Sequence, residues 1–287
     1  MTTLPTDRFA PITLPDLLAE AELLTRFDRK YLLGRQQAET LLREFDPGTR
    51  VLTIDGRRCF SYESVYFDTP DLLSYRQAVH ARRHRFKVRT RSYLDSDLSF
   101  LEVKVRGDRQ VTVKDRIDYD LDTRYRLTES GRRYAESTLD RHRMDGSVAA
   151  RLSPSLATRY TRITLLPEPG VRVTVDTDLE WAALRARGGV QLPPHTGPDR
   201  HPWQPDRLSD ETRTTSLAEP DLVIVETKSG SRPSGVDRLL WRSGHRPLSL
   251  SKYGTGLAAL RGELPSNKWA RILRHHFHTT EELPCAA

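Results

Sequence analysis

The sequence predicts a mainly β (α+β) fold, an antiparallel eight-stranded barrel with a few flanking helices. Three observations predict it. Many short segments alternate apolar and polar residues with the period of two that a strand imposes. Stretches with helical spacing are few and short. The strands are separated by turn signals rather than by long crossovers, as antiparallel neighbours require.

Taken in order, Phe27 to Leu33 alternates as a strand, and Gln36 to Phe45 follows with Ala38, Leu41, Leu42 and Phe45 at helical spacing, closed by Asp46-Pro47-Gly48. Tyr62 to Phe67 is a second strand, stopped by Asp68-Thr69-Pro70. FKVRTRSYLDSDLSFLEVKVR, Phe86 to Arg106, is a hairpin turning at Asp95-Ser96-Asp97. Gln110 to Lys114 and Arg116 to Leu121 alternate again, and Thr128 to Met144, polar and mostly free of breakers, predicts a helix or helical pair. Arg159 to Leu165 and Val171 to Asp176 form a hairpin around Pro167-Glu168-Pro169-Gly170. LVIVETK, Leu222 to Lys228, is the last strand; a helix capped by Ser234 and ending at Gly244 follows it, then another beginning near Lys252. In domain terms the sequence divides into an N-terminal extension (1–24), one domain (25–262) with a Pro/Gly-rich flexible insertion at about 185–220, and a C-terminal tail with a short helix (263–287).

Composition narrows the partners. The 287 residues carry 46 basic and 39 acidic side chains, a formal charge of +7, which favours an acidic partner without choosing among nucleic acid, phosphates and anionic membrane. No stretch approaches the roughly 20 apolar residues of a membrane span. The opening MTTLPTDRFAPITL lacks the regions of a secretory signal, and Cys59 and Cys285 give no disulfide framework, so a reducing, cytoplasmic location is expected.

The charges are placed along faces. Lys87, Arg89 and Arg91 fall at every second position, as do Glu102, Lys104 and Arg106, and Lys30, Arg162, Arg172 and Lys228 occupy alternating polar positions in other strands. A half-buried sheet with a solvated outer face produces the same alternation. Facing into a barrel, such cations repel one another unless an anion fills the lumen. Arg grips phosphate oxygens in pairs and Lys adds a point charge, so the mixture suits a chain of phosphates. Glu102 and Glu226 are carboxylates of the kind that hold a divalent cation bridging phosphate oxygens.

FDRKYLL, SVYFDTP, FKVRTRSY, LEVKVR, RITLLPEPGVRVTVDTDL, VETK and SKYGTGL, in that order from about Thr25 to Leu260, resemble the VTC-type polyphosphate polymerase domain, a branch of the triphosphate tunnel metalloenzymes (the CYTH-like superfamily). The resemblance implies an antiparallel tunnel barrel that binds triphosphate. It further implies an ATP-polyphosphate phosphotransferase that moves the terminal phosphoryl group of ATP onto a growing polyphosphate chain, with manganese or magnesium as the divalent metal. Carried over residue by residue, Lys30, Lys104, Lys228 and Lys252 match the catalytic cations. Arg89, Arg91, Arg162 and Arg172 match the triphosphate-binding residues, and Glu226 matches the metal ligand, with Glu102 a second candidate. The implied partners are ATP and polyphosphate and no nucleic acid, and the resemblance leaves room for a separate membrane partner. An inorganic or nucleoside triphosphatase and a non-catalytic polyphosphate-binding module are the alternatives.

Two departures from the wider pattern stand out. Ser249 stands three residues before Lys252, where the family can carry a second basic residue. Arg26, Asp28 and Lys30 replace the Glu-x-Glu-x-Lys opening of the thiamine-triphosphatase and adenylate-cyclase branches, which counts against those branches.

The remaining candidates are ordinary. His275, His276 and His278 fit a solvated helix end, and Asp176 and Asp178 fit a metal ligand or a strand end equally well. Tyr93 and Phe100 do not interleave regularly with the cations, as a single-strand nucleic-acid platform would require. No GxxxxGK[ST] phosphate loop occurs.

Overall fold

The computed structural model describes residues 4–21, 27–106, 112–184 and 213–277. The elements are β1 (Ala10–Ile12), α1 (Leu14–Glu20), β2 (Phe27–Gly34), α2 (Arg35–Arg43), β3 (Arg50–Leu52), β4 (Phe60–Asp68), α3 (Leu73–Val79), β5 (Arg85–Tyr93), β6 (Leu98–Arg106) and β7 (Thr112–Asp118). They continue through α4 (Glu129–Arg141), β8 (Ser153–Glu168), β9 (Val171–Leu184), β10 (Arg213–Glu219), β11 (Leu222–Ser229), α5 (Gly235–Arg242), α6 (Lys252–Leu260) and α7 (Ala270–His276). The fold is mainly antiparallel β with few helices, as the alternation predicts.

The chain forms two compact units, one of residues 1–62, 159–180 and 218–250, the other of residues 63–158, 181–217 and 251–287. In the first, β2, β11, β9 and β8 are neighbours in that order; in the second, the order is β4, β5, β6 and β7. Among the described residues no pairing joins β2 to β7, so hydrogen bonding does not close these eight strands into a ring.

In the first unit Tyr31 and Leu33 of β2, Val173 and Val175 of β9, and Val223 and Val225 of β11 share one face, buried against Ala38, Leu41 and Leu42 of α2 and Leu240 of α5. These residues are apolar at every second strand position and at helical spacing, so both periods meet in one core. The start of α5 is fixed by a reciprocal cap: Asp237 N–H donates to Ser234 Oγ (3.1 Å), and Ser234 N–H donates to Asp237 Oδ2 (2.8 Å). The other oxygen of Asp237 accepts from Tyr31 and Thr227 at 2.7 and 2.6 Å, which ties the cap to β2 and β11.

In the second unit Phe86 and Val88 of β5 and Leu101, Val103 and Val105 of β6 are buried against Ala135 and Leu139 of α4 and against Tyr125 and Leu127. With that face of the meander covered, the alternating charges lie on the other. Buried Glu63 accepts from Arg124 Nε (2.5 Å) and from Tyr125 OH (3.0 Å) beneath it.

Several elements differ from the sequence expectation in extent. The hairpin strands β8 and β9 run well beyond 159–165 and 171–176, and 112–118 is one strand rather than two. Helix α3 is unexpected because its N-cap residue, Leu72, caps nothing; the N–H groups of Thr69, Ser74 and Tyr75 donate instead to Asp68, at the end of β4 (2.8–2.9 Å). Of the expected insertion, residues 185–212 lie outside the described residues, while 213–219 form β10 against β9. Arg26, Gln110, His278 and Cys285 also lie outside them. Among the described residues no helix is long and apolar enough to cross a membrane.

Candidate functional site

In the first unit the register sets Lys30 of β2 opposite Glu226 of β11, with Thr174 of β9 on its far side. The next row is Asp28, Lys228 and Arg172. These positions are two residues apart on each strand, so all six side chains share the face opposite the Tyr31–Val225 core. Lys30 and Lys228 both donate to the same oxygen of Glu226, Oε1, at 3.0 Å. Lys228 also lies 3.6 Å from Asp28. Glu226 is 8% exposed. Burial pushes its carboxyl up, yet Lys228, Lys30 and Arg162 overcome that and hold it well below the usual range. Burial pushes Lys228 down in spite of Glu226.

Beside this pair, Arg162 of β8 grips Asp176 of β9 with two parallel bonds of 2.6 and 2.8 Å. Its guanidinium lies 5.1 and 5.2 Å from the ring centres of Tyr62 and Tyr160, which stack on each other at 5.3 Å. A planar cation held by a fork on one side and by ring faces on the other has little freedom left. Asp178, the other aspartate of the VDTD stretch, adopts a left-handed conformation and lies 3.4 Å from Arg35.

The second unit carries a different face. Across β5, β6 and β7 the rows read Arg91–Phe100–Asp118, Arg89–Glu102–Arg116, Lys87–Lys104–Lys114 and Arg85–Arg106–Thr112. At its centre is Glu102, 2% exposed. Its Oε2 accepts from Arg89 Nε and Nη2 at 2.8 and 2.7 Å, and Lys114 Nζ lies 2.6 Å from Oε1. Burial pushes this carboxyl up, but Arg89, Arg91 and Lys114 hold it far below its ordinary value. Burial pushes Lys114 down to about 8 against the pull of Glu102. Arg89 also donates to Tyr66 OH (3.2 Å), whose ring stacks on Tyr253 of α6. Lys104 is exposed on the same face.

Helix α6 stands beside this meander. Ser251 caps it by accepting from Gly254 N–H (3.1 Å) and is itself held by Lys87 Nζ at 2.7 Å. The carbonyl of Lys252 accepts from Trp181 Nε1 (3.0 Å). The two glycines of SKYGTGL are required here by space: a Cβ on Gly254 would come within 2.1 Å of the Trp269 ring, and one on Gly256 within 2.1 Å of Trp181.

The chain matches the VTC domain over residues 25–261. It belongs to the VTC domain family. No curated protein matches this VTC domain. Among solved structures, a putative adenylyl cyclase from Hippeastrum, HpAC1, described as revealing a dominant triphosphatase activity, is 13% identical. The match covers 85% of this chain and all of that one at a TM-score of 0.46. The PH1819 protein from Pyrococcus horikoshii OT3 is also 13% identical, covering 78% of this chain and 91% of its own at a TM-score of 0.39.

In this VTC domain the candidates read from sequence fall into two clusters. Lys30, Arg162, Arg172, Glu226 and Lys228 come together in the first unit, and Arg89, Arg91, Glu102 and Lys104 in the second, with Lys252 at the start of α6. Both oxygens of Glu102 are engaged by cations. Four further contributors escape sequence reasoning. Lys114 belongs to a run of alternating residues, but only the register brings it to Glu102. Tyr62, Tyr160 and Tyr66 look like core aromatics until Arg162 and Arg89 are seen against their rings.

Proposed function

We propose that this VTC domain is a metal-dependent polyphosphate polymerase that transfers the terminal phosphoryl group of ATP to a polyphosphate chain. In that reaction a terminal oxygen of the chain attacks the γ-phosphorus and a new P–O bond forms there. The bond from the γ-phosphorus to the β,γ-bridging oxygen breaks, and ADP leaves with its electron pair. Such transfer needs little covalent help from a protein; positioning and fixed charge supply most of the acceleration.

The observation that carries the reading is the arrangement around Glu226. One buried carboxylate lies between two ammonium groups on neighbouring strands, with Arg162 and Arg172 on the same unit, which suits a phosphoryl group better than it suits a core. Lys30 and Lys228 meet charge that builds on the transferring group, while Arg162, preset by Asp176 and the two tyrosine rings, binds phosphate oxygens without first having to order itself. Arg172 adds a second guanidinium.

The donor set also bears on the metal. Among the described residues no three His, Cys, Asp or Glu side chains converge. Both lysines use the same oxygen of Glu226. One carboxylate fits a hard divalent ion that arrives on phosphate oxygens, the habit of magnesium and manganese, and does not fit a protein-only cage. Glu226 would hold that ion, which neutralises phosphate charge when bound.

The second unit's face serves the polymer. Arg89, Arg91, Lys104 and Lys114 present fixed cations along a strand direction, and Lys252 adds one at the start of α6. The test is product analysis: purified protein with ATP and manganese should yield ADP and long chains. ADP with free phosphate alone would make it a triphosphatase, and tight binding without turnover a binding module.

A further inference from the structure

On the charged face of the second unit the cations continue past Lys114. Among the described residues of β5, β6 and β7, the carboxylates of that face, Glu102 and Asp118, lie in the two rows toward one end of the meander. Toward the other end come Lys87–Lys104–Lys114 and then the cross-strand pair Arg85–Arg106, two successive rows without an acidic residue. A face that needed only solubility would mix its signs.

A third segment brings another cation to this end. Lys268, half-buried in the loop between α6 and α7, feels the charges of Arg85 and Arg106, which join burial in pushing its ammonium down. Arg85 is pushed down by burial and then by Arg106. The loop is anchored. Tyr75 OH donates to Pro265 O (2.8 Å), Trp269 N–H donates to Ser266 O (2.6 Å), and the Trp269 ring fills the space above Gly254. Arg85 is tethered too, donating to Arg82 O (2.7 Å), and Arg82 and Arg83 stand exposed beyond it. Like charges fixed close together raise the energy of the empty surface, and a polyanion laid across them lowers it.

We propose that Arg85, Arg106, Lys268 and Lys87 form a docking track for the distal phosphates of a long linear polyphosphate, beyond the groups bound at Arg89 and Lys114. The track rests on the phosphate-binding reading of the cluster in which Arg89 and Lys114 meet Glu102, and adds chain-length selectivity to it. Short phosphate compounds fill the cluster alone; long chains fill the cluster and the track.

The experiment is calorimetric titration of wild type and the R85A/R106A/K268A variant with tripolyphosphate and with long-chain polyphosphate, at one ionic strength. The variant should bind tripolyphosphate within about twofold of wild type and long-chain polyphosphate at least about tenfold more weakly, since two or three charge-assisted contacts are lost. Its affinity should also fall less steeply with added salt. K268Q alone, on a half-buried loop side chain, should move the long-chain affinity in the same direction by less. Unchanged long-chain affinity in the triple variant, with tripolyphosphate still bound, would overturn the track alone. So would equal losses for both ligands, or a single-stranded RNA of matched charge binding wild type as tightly as the long chain. A wild type that binds neither phosphate compound would overturn the underlying reading as well.

Discussion

The two charged faces are built on opposite principles. In the first unit four cations, Lys30, Arg162, Arg172 and Lys228, share their surroundings with three carboxylates, Asp28, Asp176 and Glu226. In the second, four rows of cations surround Glu102 and leave Asp118 at one end. A balanced cluster holds its shape when empty, because each buried charge has a partner. An unbalanced one would be ordered by an anion laid across it. Under the proposed function the first orients one phosphoryl group and the second holds a polymer.

Breaking the buried ion pair at the centre of the unbalanced face should have the largest effect. Arg89→Ala takes away two hydrogen bonds from buried Glu102 and leaves it with Lys114, so we expect a loss of about 3 kcal/mol in urea unfolding, the low end of the range for breaking a buried pair. Mutual repulsion among the cations, taken alone, predicts the reverse, since their removal would then be relief. Glu102 changes the sign. An unchanged midpoint in the Arg89→Ala variant would show that the repulsion dominates after all.

On the balanced face, Glu226→Gln should cut ATP turnover by about 10²-fold or more while tripolyphosphate still binds, because it removes the carboxylate that positions charge in the reaction and keeps the cations. Turnover equal to wild type at saturating manganese would remove Glu226 from the chemistry. Gly254→Ala should destabilise by about 1–3 kcal/mol through its clash with Trp269, and it should disturb Lys252 with the start of α6.

The two carboxylates also predict a shared response to acid. Glu102 and Glu226 are both held below their unfolded value of 4.5, so each contributes stability that is fully present above that pH and is lost as the pH falls through and below it. Between about pH 6 and about pH 3, melting temperature should fall steeply with pH in wild type and less steeply in Glu102→Gln and Glu226→Gln. Equal slopes in all three proteins would contradict the assignment. The smallest effect belongs to the exposed row: Lys104→Ala should change stability by less than about 0.5 kcal/mol while weakening polyphosphate binding.

What the sequence made legible follows from period. Alternation placed Lys30, Arg89, Arg91, Lys104, Arg172 and Lys228 on polar strand faces because a strand's side chains must alternate, and the pattern around α2 and α5 fixed which faces are buried. Register was not legible. That Lys114 meets Glu102, or that Arg162 reaches Asp176, depends on which strands pair and with what offset, and the alternation of each strand is silent on both. Helix α3 was hidden for a similar reason, since its cap, Asp68, precedes it by five residues and belongs to a strand.

The central claim, that these faces exist to hold phosphate chains, is tested most directly by the melting temperature of the wild-type protein in tripolyphosphate and in sulfate at matched ionic strength. A ligand that binds only the folded state raises that temperature by mass action, whereas general screening acts through ionic strength alone. A far larger rise in tripolyphosphate is the predicted result; equal rises in the two salts would contradict it and leave both faces as ordinary solvated sheet.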